Sequence, residues 1–325
     1  MKASVASRYG SPDVLEFIEV EKPKPKVNEV LVKIFATTVN RTDTTCLRAS
    51  PFFARIVTGL LKPKKSILGT EFAGKIEAIG ENVTSFNVGD QVFGFNEDLF
   101  GSHAQYMTIA ENKSLVKMPQ NITYEQAAAS SEGAHYAYNM INKIKLEKDQ
   151  KVLVNGATGG IGSAAVQLLK YFGAHVTGTC RTEHINLVKS IGADRVIDYT
   201  KEDFTKEDQN YNFIFDTVGK SSFNKCKSLL LPKGVYISSD LGYMAQNIFY
   251  ALITPLIGNK KVVFPIPLDC KGSILLIKDL LEKGKFKTVI DKRFPLEQVA
   301  EAYRYVELAQ KVGNVIINVN HDKIT

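Results

Sequence analysis

Four glycines crowd one short segment of the chain, and their spacing suits the binding of a dinucleotide diphosphate. Gly156, Gly159, Gly160 and Gly162 follow a short, largely apolar run at residues 151–155. Apolar residues then recur at helical spacing. A strand, a glycine turn and a helix in this order let the backbone approach a diphosphate, and the free N–H groups of the helix favour its charge. The alternative is a turn whose glycines only permit close packing of helix and strand.

The usual G-x-G-x-x-G fingerprint is incomplete here, because Ala157 stands in place of its first glycine. The flanking strand and helix still favour a nucleotide cofactor. The predicted contacts in this turn form one unbroken run: Gly156, Ala157, Thr158, Gly159, Gly160, Ile161 and Gly162.

The end of the next predicted strand indicates which nicotinamide cofactor is selected. NAD-specific sites place Asp or Glu there, about 20 residues after the glycine turn, to bind both ribose hydroxyls. This chain has Cys180, Arg181 and Thr182 instead. Arg181 can pair with a 2′-phosphate and Thr182 can donate a hydrogen bond to it. The sequence therefore predicts NADPH in preference to NADH.

Two later strand ends are expected at the same edge, because parallel strands present their carboxyl ends to the ligand. The run FDTVG ends one strand, and Ser239 follows the next. Val218, Gly219 and Ser239 are therefore predicted to line the cofactor, with Gly219 allowing close approach of the backbone.

The elements that hold these residues fall into two parts. Up to about residue 120, short β-rich runs are separated by turn residues, which predicts a mostly antiparallel β domain. From about Tyr124, strands alternate with helices, which predicts a doubly wound parallel sheet. The expected strands are Lys151–Asn155, Val176–Cys180, Arg195–Tyr199, Phe213–Asp216, Val235–Ser239 and Lys261–Phe264. A last strand, Asn314–Val319, is expected to return to the first domain.

Bulk properties limit the classes of function. The 325 residues carry a net charge of +7, and scattered loop lysines supply part of it, so a nucleic-acid partner is not expected. No apolar run reaches the roughly 20 residues of a membrane span, and the N-terminus lacks the apolar core of a signal peptide, which predicts a cytoplasmic protein. Four dispersed cysteines argue against a disulfide framework.

The apolar segment Tyr243–Leu256 is interpreted as either a buried helix or a lid.

Ordered matches over nearly the whole chain resemble the medium-chain dehydrogenase/reductase superfamily. They include GTEFAGKIEAIGENVTSFNVGDQVFGF, VLVNGATGGIGSAAVQLLKYFGA, GADRVIDYTKEDF and FDTVG. The resemblance implies a GroES-like catalytic domain at residues 1–122 and 268–325, and a Rossmann cofactor domain at residues 123–267. It also implies that Tyr199 contacts the adenosine phosphate end of the cofactor, and that two copies pair through residues 261–264 as a homodimer.

The resemblance also raises the question of zinc. Zinc-dependent relatives carry cysteine at the position of Asn40, histidine at that of Thr70, and a further ligand near Ser131 and Glu132, where this chain has no Cys or His. Asn and Thr are poor zinc ligands beside thiolate and imidazole. The similarity is therefore to the zinc-less quinone oxidoreductases. It implies that Asn40, Asp43 and Thr70 are catalytic residues, with Asn40 touching the substrate carbonyl or the nicotinamide. The alternatives are helix caps for Asn40 and Asp43, and simple packing for Thr70.

The reaction implied is hydride transfer from NADPH to a quinone or an α,β-unsaturated carbonyl, which is already electrophilic without a metal. Enoyl reductases of the superfamily place a catalytic tyrosine where this chain has Pro51. The alternatives are a metal-free aldehyde or alcohol oxidoreductase, and a protein that binds NADPH without catalysis.

Overall fold

The computed structural model describes residues 1–50, 54–96 and 100–321. The chain forms two compact units. Unit 1 takes in residues 1–132, 270–282 and those from 288 onward, and unit 2 takes in residues 133–269 and 283–287. These bounds describe packing, and the domain limits at residues 122 and 268 stay a prediction.

The described residues contain strands and helices that alternate most regularly in unit 2. The strands are β1 Lys2–Ala6, β2 Leu15–Glu19, β3 Glu29–Val39, β4 Glu71–Ile79, β5 Gln91–Phe95, β6 Tyr106–Ala110, β7 Leu115–Lys117, β8 Lys151–Asn155, β9 His175–Cys180, β10 Arg195–Asp198, β11 Tyr211–Asp216, β12 Leu230–Ser238, β13 Lys261–Val263, β14 Ile290–Pro295 and β15 Asn314–Asn318. The α-helices are α1 Arg41–Arg48, α2 Ala54–Thr58, α3 Tyr124–Ala128, α4 Glu132–Ile141, α5 Gly160–Tyr171, α6 Ile185–Ser190, α7 Phe223–Cys226, α8 Gln246–Ile257, α9 Cys270–Glu282 and α10 Val299–Glu307.

Unit 1 is organised around the long strand β3. Its sheet has the order β14-β15-β3-β4-β5-β7, and β6 also pairs with β3. Neighbouring strands are antiparallel except β14 and β15. Apolar side chains of this sheet and of α10 form one buried core, as the alternating pattern of half-buried strands requires. The predicted antiparallel β domain and the return of the C-terminal strand to it are both confirmed.

Unit 2 is a parallel sheet with the order β10-β9-β8-β11-β12-β13. The strand order reverses between β8 and β11, and such a switch point is where open α/β sheets bind ligands. The predicted doubly wound sheet is confirmed, and β12 differs most from its predicted bounds, since it begins at Leu230 rather than Val235.

The apolar segment after β12 forms helix α8, and most of its large side chains face solvent. Phe249, Leu252 and Leu256 are 60%, 70% and 84% exposed. The interpretation as a buried helix is therefore wrong, because hydropathy alone does not state whether a face is covered. No helix among the described residues is long and apolar enough to cross a membrane.

Candidate active site

The glycine turn of unit 2 connects β8 to α5 as the sequence predicts. Gly156 follows β8 with φ of 85°, a left-handed conformation that glycine adopts without strain. Gly159 is the residue that precedes α5, and no side chain of the described residues hydrogen-bonds there as a cap. The first N–H groups of α5 are thus free of a side-chain acceptor, as an anion site at a helix N-terminus requires.

Two glycines of the turn are required by close contacts of the backbone. A Cβ atom on Gly162 would lie 2.0 Å from the carbonyl oxygen of Gly156, and one on Gly156 would lie 2.3 Å from Cγ1 of Val218. A Cβ on Gly159 would meet nothing nearer than 3.7 Å. The turn is therefore tight on its inner side and open at Gly159, which is the shape that a diphosphate needs.

Loops after β11 and β12 lie beside this turn because their strands neighbour β8. The buried Asp216 carboxylate accepts hydrogen bonds from Asn155 Nδ2 at 3.1 Å and from the N–H of Gly219 at 3.1 Å. The N–H of Ser239 donates to the carbonyl oxygen of Asp216 at 3.0 Å. Asp216 therefore fixes the predicted contacts Gly219 and Ser239, with Val218 between Asp216 and Gly219, at the carboxyl edge of the sheet.

The predicted contacts for the adenosine end come together at the tips of β9 and β10. Arg181 Nε donates to the Tyr199 hydroxyl at 3.2 Å. The Thr182 hydroxyl donates to Asp198, a residue that sequence reasoning missed because it ends the neighbouring strand. Hydrogen bonds from Thr182 and Thr200 lower the pKa of Asp198 to about 2. Arg181, whose side chain is half exposed and lies 3.9 Å from Glu183, and Lys201, which lies 3.7 Å from Asp198, are cations at this point that could pair with a 2′-phosphate.

The predicted catalytic residues Asn40 and Thr70 also meet, in unit 1. Strands β3 and β4 are antiparallel, with Thr37 opposite Phe72, so the residues after β3 and before β4 lie at the same end of the sheet. Asn40 Nδ2 donates to the Thr70 hydroxyl at 3.0 Å. Thr70 is fully buried and Asn40 is 9% exposed. The pairing of β3 with β4 thus brings together two residues that are 30 positions apart in the sequence.

Asn40 and Asp43 also form a capping box at the start of α1. Asn40 Oδ1 accepts the N–H of Asp43 at 3.0 Å, and Asp43 Oδ2 accepts the N–H of Asn40 at 2.9 Å. The helix-cap alternative is therefore confirmed for both residues. It does not exclude a site role for Asn40, because its amide N–H groups point away from the cap.

Two glutamates complete the cluster: at the sequence level, Glu132 is noted only as lying near a zinc-ligand position of relatives, and Glu71 is not considered. The Glu132 carboxylate accepts hydrogen bonds from Asn40 Nδ2, from the Thr70 hydroxyl at 3.0 Å and from the Thr42 hydroxyl. The N–H of Glu132 donates to Glu71 Oε1 at 2.6 Å. The available signals were weak: Glu71 is a charged residue at the start of an apolar strand, and Glu132 follows a run of small residues.

Burial controls the electrostatics of this polar cluster, which we define as Asn40, Thr42, Asp43, Thr70, Glu71 and Glu132. Desolvation raises the pKa of Asp43 to about 8 and that of Glu71 to about 7. Burial, followed by the charges of Glu71 and Asp43, raises the pKa of Glu132 well above its usual value. Burial also lowers the pKa of Lys311, whose charge interacts with both glutamates. Because three carboxyl groups are buried together and burial disfavours their charged forms, the cluster retains protons at neutral pH.

The donor chemistry of the cluster does not fit a catalytic zinc ion. Both N–H groups of the Asn40 amide donate to neighbours, and its oxygen accepts the N–H of Asp43. The carboxylates of Asp43, Glu71 and Glu132 are of a kind that binds zinc, but each accepts hydrogen bonds from neighbouring N–H or O–H groups, and among the described residues no three His, Cys, Asp or Glu side chains are grouped to hold a metal ion. Zinc sites use thiolate, imidazole or carboxylate in sets of three or four, so these side chains form a hydrogen-bonded network instead.

The histidine that follows Glu132 in α4 is not part of the polar cluster. His135 is buried in unit 2, where Asn139 Nδ2 lies 3.2 Å from its Nδ1, so it is a core histidine. Pro51, which stands at the tyrosine position of enoyl reductases, lies outside the described residues.

Comparisons with known proteins agree with both units. The alcohol dehydrogenase GroES-like domain matches residues 26–120, and the zinc-binding dehydrogenase family matches residues 191–317, a range that includes none of Asn40, Thr70 and Glu132. The chain is 30% identical over 330 residues to the chloroplastic NADPH-dependent alkenal/one oxidoreductase of Arabidopsis thaliana, across 98% of this chain and 79% of that protein.

A second relative and a solved structure extend the agreement. The chain is 30% identical over 319 residues to the chloroplast envelope quinone oxidoreductase homolog of Arabidopsis thaliana, across 93% of each. The structure of the quinone oxidoreductase from Coxiella burnetii matches with a TM-score of 0.86 at 23% identity, across 98% of this chain and 99% of that one. The two units therefore share their fold with that enzyme.

Proposed function

This chain belongs to the medium-chain dehydrogenase/reductase superfamily, in its quinone oxidoreductase-like branch, and we propose that it reduces a quinone or an α,β-unsaturated carbonyl with NADPH and without zinc. Two observations together carry the proposal. The glycine turn of unit 2 is open at Gly159, and the polar cluster of unit 1 does not form a set of zinc ligands. A conjugated carbonyl accepts a hydride without a Lewis acid, so it is the acceptor class that such a cluster suits.

The residues of unit 2 fit NADPH. The turn from Gly156 to Gly162 would hold the diphosphate, because its inner glycines permit the tight turn and Gly159 leaves room outside it. Arg181, Thr182 and Tyr199 would bind the 2′-phosphate end, and Val218, Gly219 and Ser239 would line the nicotinamide end. When bound, NADPH supplies a hydride.

Asn40, Asp43 and Thr70 act in this proposal by holding the polar cluster in place. Asp43 fixes Asn40 through the capping box, and Asn40 and Thr70 both donate to Glu132. Since the amide hydrogens of Asn40 are already engaged, Asn40 and Thr70 are positioning residues rather than direct donors to the acceptor carbonyl.

NADPH oxidation tests the proposal with three kinds of acceptor: 9,10-phenanthrenequinone, 1,4-benzoquinone and trans-2-alkenals. Turnover without added metal is the expected result. Turnover only with saturated aldehydes or alcohols would favour the metal-free alcohol oxidoreductase alternative. Binding of NADPH without any turnover would favour the non-catalytic alternative, and an absence of binding to either reduced nicotinamide would overturn both enzyme proposals.

The protein is further proposed to form a homodimer, because β13 is the edge strand of its sheet and neighbours the exposed apolar face of α8. Edge strands of two copies can pair antiparallel about a two-fold axis. Leu252→Glu on α8 should shift the mass in light scattering from dimer to monomer. Leu308→Glu changes an equally exposed leucine of unit 1 and should leave the mass unchanged. The cytoplasmic location stays a prediction, which cell fractionation checks.

A further inference from the structure

Three buried carboxyl groups have no assigned part in the hydride step. Asp43 is 1% exposed, Glu71 is fully buried and Glu132 is 5% exposed. The other charged and titratable groups of the described residues that interact with them are the Lys311 amino group, on the segment after α10, the Tyr303 hydroxyl on α10 and the Cys46 thiol on α1. One ammonium group cannot neutralise three carboxylates in so dry a place, so the cluster keeps protons in the folded protein.

Among the three, Glu132 is the group whose proton can leave. Glu71 is closed in by the N–H of Glu132 and by the Thr38 hydroxyl. Asp43 is committed to the N–H of Asn40 as part of the helix cap. Glu132 instead reaches Thr42, which is only half-buried, through Oε1.

The partners of Glu132 can serve both protonation states. A threonine hydroxyl donates to a carboxylate and, after rotation, accepts from a carboxylic acid. Asn40 and Thr70 occupy Oε2 as donors, so the proton belongs on Oε1, which faces Thr42. The contacts therefore direct the acidic O–H toward the side of the cluster that is nearer to solvent.

We propose that the Glu132 carboxyl group is the acid that supplies the proton consumed in the reduction, and that the Thr42 hydroxyl links it to solvent. This inference rests on the proposed function. It assigns the proton source to a carboxylic acid, in a chain that has proline where enoyl reductases have tyrosine.

Reduction of an enone adds one hydride and one proton across its carbon–carbon double bond. Hydride addition at the β-carbon leaves an enolate. The O–H bond of Glu132 breaks, and its proton forms the new bond to the enolate, which yields the saturated carbonyl and a Glu132 carboxylate. Water returns one proton to Glu132 through the Thr42 hydroxyl, so the net reaction consumes one hydride and one proton.

The first test needs no cofactor. Infrared spectra of the protein alone, recorded at neutral pH, should contain protonated carboxyl bands, and Glu132→Gln should remove one component of them while the component of Asp43 and Glu71 remains. Glu301→Gln, an equivalent change on the exposed face of α10, should leave those bands in place. Protonated carboxyl bands of the same intensity in the parent protein and in folded Glu132→Gln would overturn the assignment.

The second test compares acceptors that differ in their need for an acid. The enolate from a trans-2-alkenal is strongly basic, whereas the oxygens of a reduced quinone take protons readily from water. Glu132→Gln should therefore lower kcat for the alkenal by about 10²-fold, the scale of general acid catalysis, with a much smaller loss for 9,10-phenanthrenequinone and unchanged NADPH affinity. An equal loss with both acceptors, or none with the alkenal, would overturn the proposal.

Variants of Thr42 keep the test decisive if Glu132→Gln does not fold. Thr42→Val removes the link and should slow alkenal reduction, and Thr42→Ser should restore it. Equal rates for the two variants would contradict the proposed link. A parent protein that reduces no acceptor would instead overturn the proposed function, and the infrared bands would still report whether Glu132 holds a proton.

Discussion

The edge of the sheet in unit 2 and the polar cluster of unit 1 are built in opposite ways. The carboxyl edge of the parallel sheet is made of backbone: glycines, free N–H groups and the loops that Asp216 holds in place. The cluster is made of buried side chains joined by hydrogen bonds, with Asp43 Oδ1 left without a partner among the described residues. The first region leaves space and donors for a ligand, while the second keeps protons. The difference suggests that binding and acid chemistry depend on different residues and can be disrupted separately.

The largest expected effect is the loss of the turn. Gly162→Ala places a methyl group 2.0 Å from the Gly156 carbonyl oxygen, so we expect a cost of roughly 3 kcal/mol in the free energy of unfolding and no measurable NADPH binding. Gly159→Ala, at the open position, should keep its melting temperature and yet bind NADPH more weakly. Equal stability of the two variants would contradict the account of the turn.

The next effect is the pH dependence that Asp43 gives to the stability of the protein. Folded Asp43, with a pKa of about 8, keeps a proton that the unfolded chain releases near pH 4, so its stabilising contribution is present at low pH and is lost as the pH rises toward 8. Asp43→Asn retains the capping oxygen but has no proton to lose. Relative to the parent protein, it should gain about 4 kcal/mol in unfolding free energy between pH 5 and pH 9, since about three pH units below the folded pKa are each worth about 1.4 kcal/mol.

Urea unfolding at the two pH values measures this gain. The exposed Glu297→Gln variant serves as the control, and its stability relative to the parent should not depend on pH in this range. A constant difference between Asp43→Asn and the parent would show that the cluster does not hold a proton at Asp43.

A smaller effect tests the choice of cofactor. Arg181→Ala should weaken NADPH binding about 10-fold by fluorescence titration and leave NADH binding unchanged, because only NADPH carries the 2′-phosphate. Lys189→Ala removes an equal charge from the exposed end of α6 and should alter neither affinity. Parallel losses for both cofactors would assign Arg181 a structural part instead.

The smallest expected effect is that of metal removal. Dialysis against a strong chelator should leave quinone reduction unchanged, because amide and hydroxyl groups occupy the positions where zinc-dependent relatives have ligands. Activity that disappears and returns with added Zn²⁺ would reverse the interpretation of the cluster.

Local patterns made the edge of unit 2 predictable. The strand β8, the glycine turn and α5 are adjacent in sequence, so periodicity and spacing identified them together. The cluster was only partly predictable: Asn40 and Thr70 came from a family resemblance, whereas Glu71, at the start of β4, and Glu132, at the start of α4, meet through a hydrogen bond between residues 61 positions apart, which no local pattern encodes. For Asn40 the two interpretations were compatible, because its oxygen caps α1 and its amide hydrogens face the cluster.

Helix α8 shows a different limit. Its apolar residues suggested burial, but composition measures only the tendency of a side chain to leave water and not what covers it. The hydropathy of a single chain therefore does not distinguish an exposed apolar helix from a buried one.

The place of β15 has a consequence for synthesis. This strand lies between β14 and β3, inside the sheet of unit 1, although it is made near the end of the chain. The sheet of unit 2 uses only residues 151–263. On the ribosome, the sheet of unit 2 can therefore form while residues 36–39 of β3, on the side away from β4, still lack the partner strand that residues 314–318 supply.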